Sequence, residues 1–207
     1  MHRPLTFLVV RRDVEHRREL TIQLEAHGRV IEAASLQEAR SALRASKVDA
    51  VDAVIVDAEL EDGSGLGVVD LVRAREHGMC ALVVTGDVDS ELATRALECG
   101  ACVCIEPLNA RHVAVAVEEA KAYREAFDRR VHTVLERWKV SYRLTPVEED
   151  LLRRAVHGET SQQTAARRRV ATETVRKQVQ AFLRKKKAAT FDGAVADLLR
   201  EACAEPK

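Results

Sequence analysis

Charged and hydroxyl-bearing residues directly follow several short β-branched runs of the sequence, and their types could hold a charged ligand. Each of them ends a predicted strand or stands just after one. If these strands form one parallel sheet, their carboxyl ends meet at the edge where such sheets bind ligands. Guanidinium groups form charge-assisted hydrogen bonds to carboxylates, so a charged pocket is predicted at that edge. The residues concerned are Arg11, Arg12, Asp13, Asp57, Thr85 and Glu106.

A second set of chemically capable residues lies on a basic segment, Thr172 to Lys187, with the sequence TETVRKQVQAFLRKKK. Thr172 is predicted to be the N-cap of a helix whose apolar residues recur at three- and four-residue spacing. The remaining face is basic and suits phosphates and guanine edges, although a charge run alone is typical of an ordinary solvated helix. The apolar stripe is predicted to comprise Thr174, Val175, Val179, Phe182 and Leu183.

The elements that must position the first set alternate along the first 108 residues. Short β-branched runs alternate with amphipathic helical patterns, which indicates an α/β fold with a five-stranded parallel sheet. The predicted strands are Thr6 to Val10, Val30 to Ala33, Ala53 to Asp57, Ala81 to Thr85 and Ala101 to Ile105. The predicted helices between them are Glu15 to His27, Leu36 to Ser46, Leu66 to Glu76 and Glu91 to Cys99, with Gly28, Gly78 and Gly100 as stop signals.

The net charge of zero hides an asymmetry between the two parts of the chain. Residues 1–127 carry 15 Lys and Arg against 22 Asp and Glu, and residues 128–207 carry 18 against 11. Two domains with different partners are therefore expected, the basic one being the candidate for nucleic acid.

No apolar run is long enough to span a bilayer, and the five cysteines lack paired spacing. A cytoplasmic protein with reduced thiols and no membrane contact is therefore expected.

The segments FLVVRRD, VIVDAELEDGSGLGVV, VVTGD and ECGACVCIEPL resemble those of bacterial response-regulator receiver domains, over about residues 5 to 125. The resemblance implies a CheY-like (flavodoxin-like) fold, with Asp57 at the phosphoacceptor position and Thr85 as the hydroxyl that engages the phosphoryl group. It also marks departures from the family pattern. Family members place two acidic residues, which hold Mg²⁺, where this chain has Arg11 and Arg12, and a lysine where it has Glu106.

These departures predict a receiver that binds no metal. Mg²⁺ needs oxygen ligands, and a second cation about 4 Å away costs on the order of 4 kcal/mol at an effective dielectric near 20. One hypothesis is a metal-free ion-pair cluster, in which Arg11 or Arg12 pairs with Asp57 while Glu106 balances the second cation. The alternative is that both arginines turn into water and Asp57 is an ordinary surface carboxylate.

From residue 144 the pattern changes to short helices with compact turns. A short helix, a tight turn and a second, basic helix predict a helix-turn-helix, whose second member enters the major groove. The segment LTPVEEDLLRRAVHGETSQQTAARRRVATETVRKQVQAFLRKK resembles the LuxR-type DNA-binding domain, and the resemblance continues through ATFDGAVADLL to a four-helix unit. It implies that base edges are contacted by Arg176, Lys177 and Gln180, and that residues near phosphates are Thr172, Thr174, Gln178, Arg184 and Lys185.

A helix without Gly or Pro is predicted between the two domains, starting after Asn109. Its apolar residues follow heptad spacing, broken once by Arg124, and those beyond the receiver edge would have little to pack against in a monomer. We therefore expect domains at 1–125 and 144–207 and a helical linker at 126–143 that forms a parallel coiled-coil dimer; a helix that only bridges the domains is the alternative. The residues beyond the edge are Phe127, Val131, Val134 and Trp138.

The predicted function is an atypical response regulator: a dimeric transcriptional regulator that binds double-stranded DNA under a receiver-like domain without the metal-binding pair. It is not expected to be an enzyme or to hold a cofactor or metal. A regulatory protein partner at the receiver is compatible with this prediction. Two alternatives stay open. One is a conventional regulator phosphorylated on Asp57, with Asp13 and Glu59 improvising a metal site, and the other is a protein-interaction adaptor that does not bind specific DNA.

Overall fold

The computed structural model describes residues 4–45, 51–73 and 79–204. The chain divides into two units, Met1–Glu125 and Ala126–Lys207. The predicted ends of two receiver helices, at Ser46 and Glu76, and the predicted stop at Gly78 lie outside the described residues.

The first unit confirms the predicted five-stranded parallel sheet, with strand order β2-β1-β3-β6-β7. The two strands completely buried along their length, β1 and β3, lie next to each other inside the sheet, while the edge strand β2 shows exposed positions. The strands of the sheet are β1 (Leu5–Val10), β2 (Gly28–Ala33), β3 (Ala53–Asp57), β6 (Cys80–Thr85) and β7 (Cys102–Ile105). A two-stranded hairpin that the sequence did not predict follows β3 and consists of β4 (Glu59–Leu60) and β5 (Gly63–Ser64).

Helices cover both faces of the sheet because the buried strands are apolar on both faces. One core cluster joins the sheet to the second, third and fourth helices, and another joins it to the first and fifth. The helices are α1 (Val14–Glu25), α2 (Leu36–Ala45), α3 (Leu66–Arg73), α4 (Ser90–Glu98) and α5 (Ala110–Tyr142). Asp13 caps α1 by accepting a hydrogen bond from the N–H of His16, so the helix begins one residue earlier than predicted.

Helix α5 starts after Asn109, as predicted, and the Asn109 side chain accepts hydrogen bonds from the N–H groups of Arg111 and His112. The first part of α5 packs on the sheet of the first unit. The break in its heptad pattern, Arg124, donates to Asp52 at the start of β3, with Nε 2.9 Å from Oδ1. This residue is therefore held by a carboxylate of the sheet and is not part of an apolar seam.

The second part of α5 corrects the predicted linker and coiled coil. Val131, Val134 and Trp138 are at most 3% exposed, because they pack with the helices that follow in the second unit. These side chains were expected to have little to pack against in a monomer. The short helices of the same unit do cover them, so residues 126–142 belong to that unit and these three side chains are not available to a second chain.

Four further helices complete the second unit: α6 (Pro146–Val156), α7 (Ser161–Arg168), α8 (Thr172–Lys186) and α9 (Phe191–Cys203). Capping boxes begin α6, at Thr145 and Glu148, and α7, at Thr160 and Gln163. The predicted N-cap of α8 is wrong by one residue. Ala171 takes the cap position without a side-chain hydrogen bond, and Thr172 is the first helical residue.

Candidate functional site

The predicted pocket residues lie together in an open cleft of about 840 Å³ at the carboxyl ends of β1, β3, β6 and β7. Parallel pairing of these strands places their ends at one edge of the sheet, as the sequence argument required. Acidic side chains outnumber basic ones around the cleft. It is lined by Arg11, Arg12, Asp13, His16, Asp57, Ala58, Glu59, Glu61, Val84, Thr85, Gly86, Asp87, Asp89 and Glu106.

Arg11 is the centre of this cleft and is only 4% exposed. Its Nε donates to Oδ1 of Asp57 at 2.7 Å, and its Nη2 donates to Oε1 of Glu106. One guanidinium thus bridges the carboxylate at the end of β3 and the carboxylate that follows β7. The ion-pair cluster considered from the sequence is present in the geometry, with one difference: Glu106 pairs with the same arginine as Asp57 and does not balance a second cation.

Arg12 takes a different position, although it is the next residue along the chain. Its side chain is exposed, and its backbone N–H donates to Oδ2 of Asp57 at 2.8 Å. Both carboxylate oxygens of Asp57 therefore accept a hydrogen bond from the β1–α1 segment. The Arg12 guanidinium is exposed to solvent and does not pair with Asp57, as in the alternative that the sequence left open.

The other two predicted pocket residues are held by local contacts. The Thr85 hydroxyl donates to the backbone oxygen of Asp87 at 2.6 Å, so it is engaged within its own turn. Asp13 accepts the N–H of His16, and this backbone hydrogen bond lowers the pKa of its carboxyl. Asp13 is therefore a helix cap at the rim of the cleft, ionised near neutral pH.

The Mg²⁺ that the receiver resemblance implies does not fit these residues. Mg²⁺ takes oxygen ligands in octahedral geometry, usually with one or two carboxylates. The side chain nearest Asp57 is instead a guanidinium, which repels a cation at close range. Within residues 4–45, 51–73 and 79–204, no three His, Cys, Asp or Glu side chains form a group that could hold a metal ion. The donor set therefore gives no support to an improvised site at Asp13 and Glu59.

The second candidate site is the exposed face of α8. Val175, Val179, Phe182 and Leu183 are at most 8% exposed and fix the helix on the core of the second unit. Thr174, predicted to share this stripe, is exposed instead. Helix α7 packs against α8 after a turn of three residues, which gives the predicted helix-turn-helix arrangement. The other exposed side chains along α8 are Glu173, Arg176, Lys177, Gln180, Arg184 and Lys185.

Two residues expected near phosphates, Lys185 and Gln178, make contacts within the protein. Lys185 places its Nζ 2.6 Å from Oε2 of Glu148 and also donates to the backbone oxygen of Arg143. Gln178 accepts from Arg168 through its Oε1 at 3.0 Å. This contact places the charge of Arg168 beside a polar side chain. Both Lys185 and Gln178 thus tie α8 to neighbouring segments.

Sequence reasoning missed two features of the second unit. Lys186 lies with its Nζ 2.6 Å from Asp197 and 4.6 Å from the centre of the Trp138 ring, so a cation occupies a nearly buried site. In the sequence Lys186 is one of three consecutive lysines, Lys185 to Lys187, and nothing there distinguishes it from its neighbours. Glu173 lies 3.6 Å from Nη1 of Arg176 on the exposed face of α8, and the three-residue spacing was the available signal.

Comparison with known families identifies the first unit. The family model described as the response regulator receiver domain matches residues 7–126. No described helix has the length and apolar character to cross a membrane. The search of curated proteins returned no match.

Three solved structures show the same fold at low sequence identity. The response regulator StyR is 21% identical, with a TM-score of 0.54, and the match covers 96% of this chain and 98% of that one. A receiver domain protein from Clostridium thermocellum is 22% identical, with a TM-score of 0.52 and coverages of 58% and 97%. A CheY-like receiver domain protein from Methanospirillum hungatei JF-1 is 22% identical, with a TM-score of 0.51 and coverages of 59% and 98%. Because the family model covers more than half of the 207 residues, the chain belongs to the response regulator receiver domain family.

Proposed function

We propose that the protein is a cytoplasmic DNA-binding transcriptional regulator, with a LuxR-type helix-turn-helix and a receiver domain that works without Mg²⁺ or a phosphoryl group. The observation that carries the proposal is the exposed basic face of α8, which is backed by a buried apolar stripe. A helix held rigidly on a core, with its cations directed to solvent, is suited to the major groove. The protein is not an enzyme in this proposal.

In this proposal α8 reads base edges through Arg176, Lys177 and Gln180. Arginine and lysine hydrogen-bond to O6 and N7 of guanine, and glutamine to N6 and N7 of adenine. Thr172, Thr174 and Arg184 contact phosphates and fix the position of the helix. Lys185 and Gln178 support α8 from within the protein, so their part in DNA binding is indirect.

The Arg11 cluster supports a receiver that does not depend on phosphorylation. The side chain at the phosphoacceptor position, Asp57, is 11% exposed and pairs with a permanent cation, and its second oxygen accepts the Arg12 N–H. Phosphoryl transfer in the family uses Mg²⁺ next to this carboxylate. Arg11 supplies positive charge there without a divalent ion, and Glu106 completes the cluster.

The homodimer remains part of the proposal, on other grounds than the heptad pattern. Val131, Val134 and Trp138 are buried inside the second unit, so a dimer would use a different surface. Pseudo-palindromic operators, with half-sites about one helical turn apart, would indicate two copies on the DNA. In this proposal the acidic receiver unit binds a regulatory protein partner.

The direct test is DNA recognition by the full-length chain with Arg176→Ala and Lys177→Ala combined. Each good base contact contributes about 1–3 kcal/mol of discrimination, so preference for the operator over random DNA should fall by about 30-fold or more. The matched control is Arg111→Ala with Lys121→Ala, which removes two exposed cations from α5 in the receiver unit. An unchanged preference would remove Arg176 and Lys177 from readout. Absence of any DNA binding at low salt would favour the adaptor alternative.

A labelling experiment tests the receiver separately. Full-length protein incubated with acetyl phosphate and Mg²⁺ should show no phosphoryl group on Asp57 by intact mass. The combined variant Arg11→Asp, Arg12→Asp and Glu106→Lys restores the family's residue types and should bind Mg²⁺ and become labelled. Stoichiometric labelling of the unaltered chain would support the conventional regulator, while the DNA-binding proposal would stand.

A further inference from the structure

The exposed face of α8 carries one acidic residue among its cations, Glu173. It is the second residue of the helix, and its side chain is 63% exposed. Its Oε2 lies 3.6 Å from Nη1 of Arg176, which is 69% exposed one turn further on. The two side chains therefore form a pair of opposite charge on the surface that the proposed function places against DNA.

A carboxylate on this surface weakens binding to a polyanion, because DNA affinity depends on the number of phosphates that cations neutralise. The Glu173 carboxylate lies in the first turn of α8, where it stabilises the helix slightly by interacting with the helix dipole. That benefit is available anywhere on the first turn, including the faces directed away from DNA. In the proposed function Arg176 reads guanine, so Glu173 lies beside a residue that contacts bases.

We infer that Glu173 is a specificity-determining residue of the α8 surface, which selects cytosine beside the guanine read by Arg176. The inference rests on the proposed function. The N-terminal residues of a recognition helix contact base edges in the major groove, and Glu173 lies in that part of α8. Its carboxylate accepts a hydrogen bond from N4 of cytosine. Acceptor atoms repel it at guanine (N7 and O6) and thymine (O4), and at adenine the N6 donor stands beside the acceptor N7. Specificity then arises from rejection of wrong bases as well as from attraction of the right one.

The ion pair with Arg176 determines where the Glu173 carboxylate lies relative to the guanine contact. The guanidinium is held near the carboxylate, so it is directed along the same face of the helix. When the arginine bonds O6 and N7 of guanine, Glu173 is one helical turn nearer the start of α8 and faces a neighbouring base. The two side chains thus read a guanine and a cytosine as a unit.

The test is selection of binding sites from a randomised duplex library by the full-length chain, with Glu173→Gln and Glu173→Ala as variants. The unaltered chain should select cytosine at one position of each half-site. Glu173→Gln should change that position to adenine, since glutamine bonds N6 and N7 of adenine. Glu173→Ala should lose the preference there by about 10-fold while the other positions keep theirs. Glu118→Gln is the matched control, because Glu118 is also an exposed acid with a cation three residues on, in α5.

Two results would overturn the inference, and they are distinguishable. If both variants keep the original base preference and bind every sequence more tightly, Glu173 only repels phosphates, and the proposed function stands. If the unaltered chain selects no sequence at all, the proposed function and the inference both fail. Thermal unfolding of each variant shows whether the fold is intact, which is expected for a side chain so exposed.

Discussion

Replacement of Arg11 by methionine should destabilise the receiver unit by about 3 kcal/mol, the low end of the cost of removing one partner of a buried ion pair. Opposite charges about 4 Å apart attract by about 4 kcal/mol at an effective dielectric near 20. Arg11 and Asp57 are 4% and 11% exposed, so solvent would replace little of this attraction. The low end applies because Asp57 keeps the Arg12 N–H as a hydrogen-bond donor.

The two contacts of Arg11 should contribute unequally. Glu106 is 35% exposed, so solvent screens its pair with Arg11, and Arg11 keeps Asp57 when Glu106 is made neutral. Glu106→Gln should therefore cost less than about 1 kcal/mol. In Arg11→Met combined with Asp57→Asn no charge is left buried without its partner, and most of the lost stability should return. Arg12→Met, at an exposed neighbouring position, should change stability by less than about 0.5 kcal/mol and serves as the control.

Chemical denaturation of the full-length chain can assign these changes to one unit. The sequence contains a single tryptophan, Trp138, and it lies in the second unit. Its fluorescence follows the second unit, whereas far-UV circular dichroism follows both. Arg11→Met should shift a circular-dichroism transition that has no counterpart in fluorescence. A loss below about 0.5 kcal/mol, or a double variant no more stable than Arg11→Met, would refute the buried ion pair as a source of stability.

Two further predictions concern the second unit, and Trp138 fluorescence during unfolding measures both. Lys186→Met should cost about 1–2 kcal/mol, because it removes the ion pair to Asp197 and the cation–π contact, while Lys187→Met, at an exposed neighbour, should be nearly neutral. An equal effect of the two variants would contradict this. Burial by itself would raise the pKa of Glu148, but hydrogen bonds from Lys185 and Thr145 outweigh it and hold the pKa below its ordinary value of 4.5. The folded chain then binds fewer protons than the unfolded chain, so this contribution is complete above pH 4.5 and is lost as the pH falls through the lowered pKa. Glu148→Gln should cost about 1–3 kcal/mol at pH 7 and weaken the dependence on acid, and an unchanged pH profile would contradict the argument.

Much of the fold and the membership of the receiver pocket followed from the sequence. β-branched runs, helical periodicity and short connections are local properties, and parallel strands bring their carboxyl ends together wherever they form. That rule alone placed Arg11, Asp57 and Glu106 in one cleft. The basic character of the exposed face of α8 was also local information, because side chains spaced away from the apolar stripe point to solvent.

The tertiary structure decided which of several equivalent side chains makes each contact. Arg11 and Arg12 are identical and adjacent, yet only Arg11 is buried, and its partners lie 46 and 95 residues away along the chain. Lys185 and Lys186 likewise belong to one basic run in the sequence. In the structure Lys185 pairs with Glu148 of α6, whereas Lys186 lies beside Asp197 of α9 and the Trp138 ring of α5. In the same way, the sequence of α5 did not show that its apolar face packs against the later helices of the second unit. Periodicity shows that a side chain needs a neighbour, whereas the packing of distant segments decides whether that neighbour comes from the same chain.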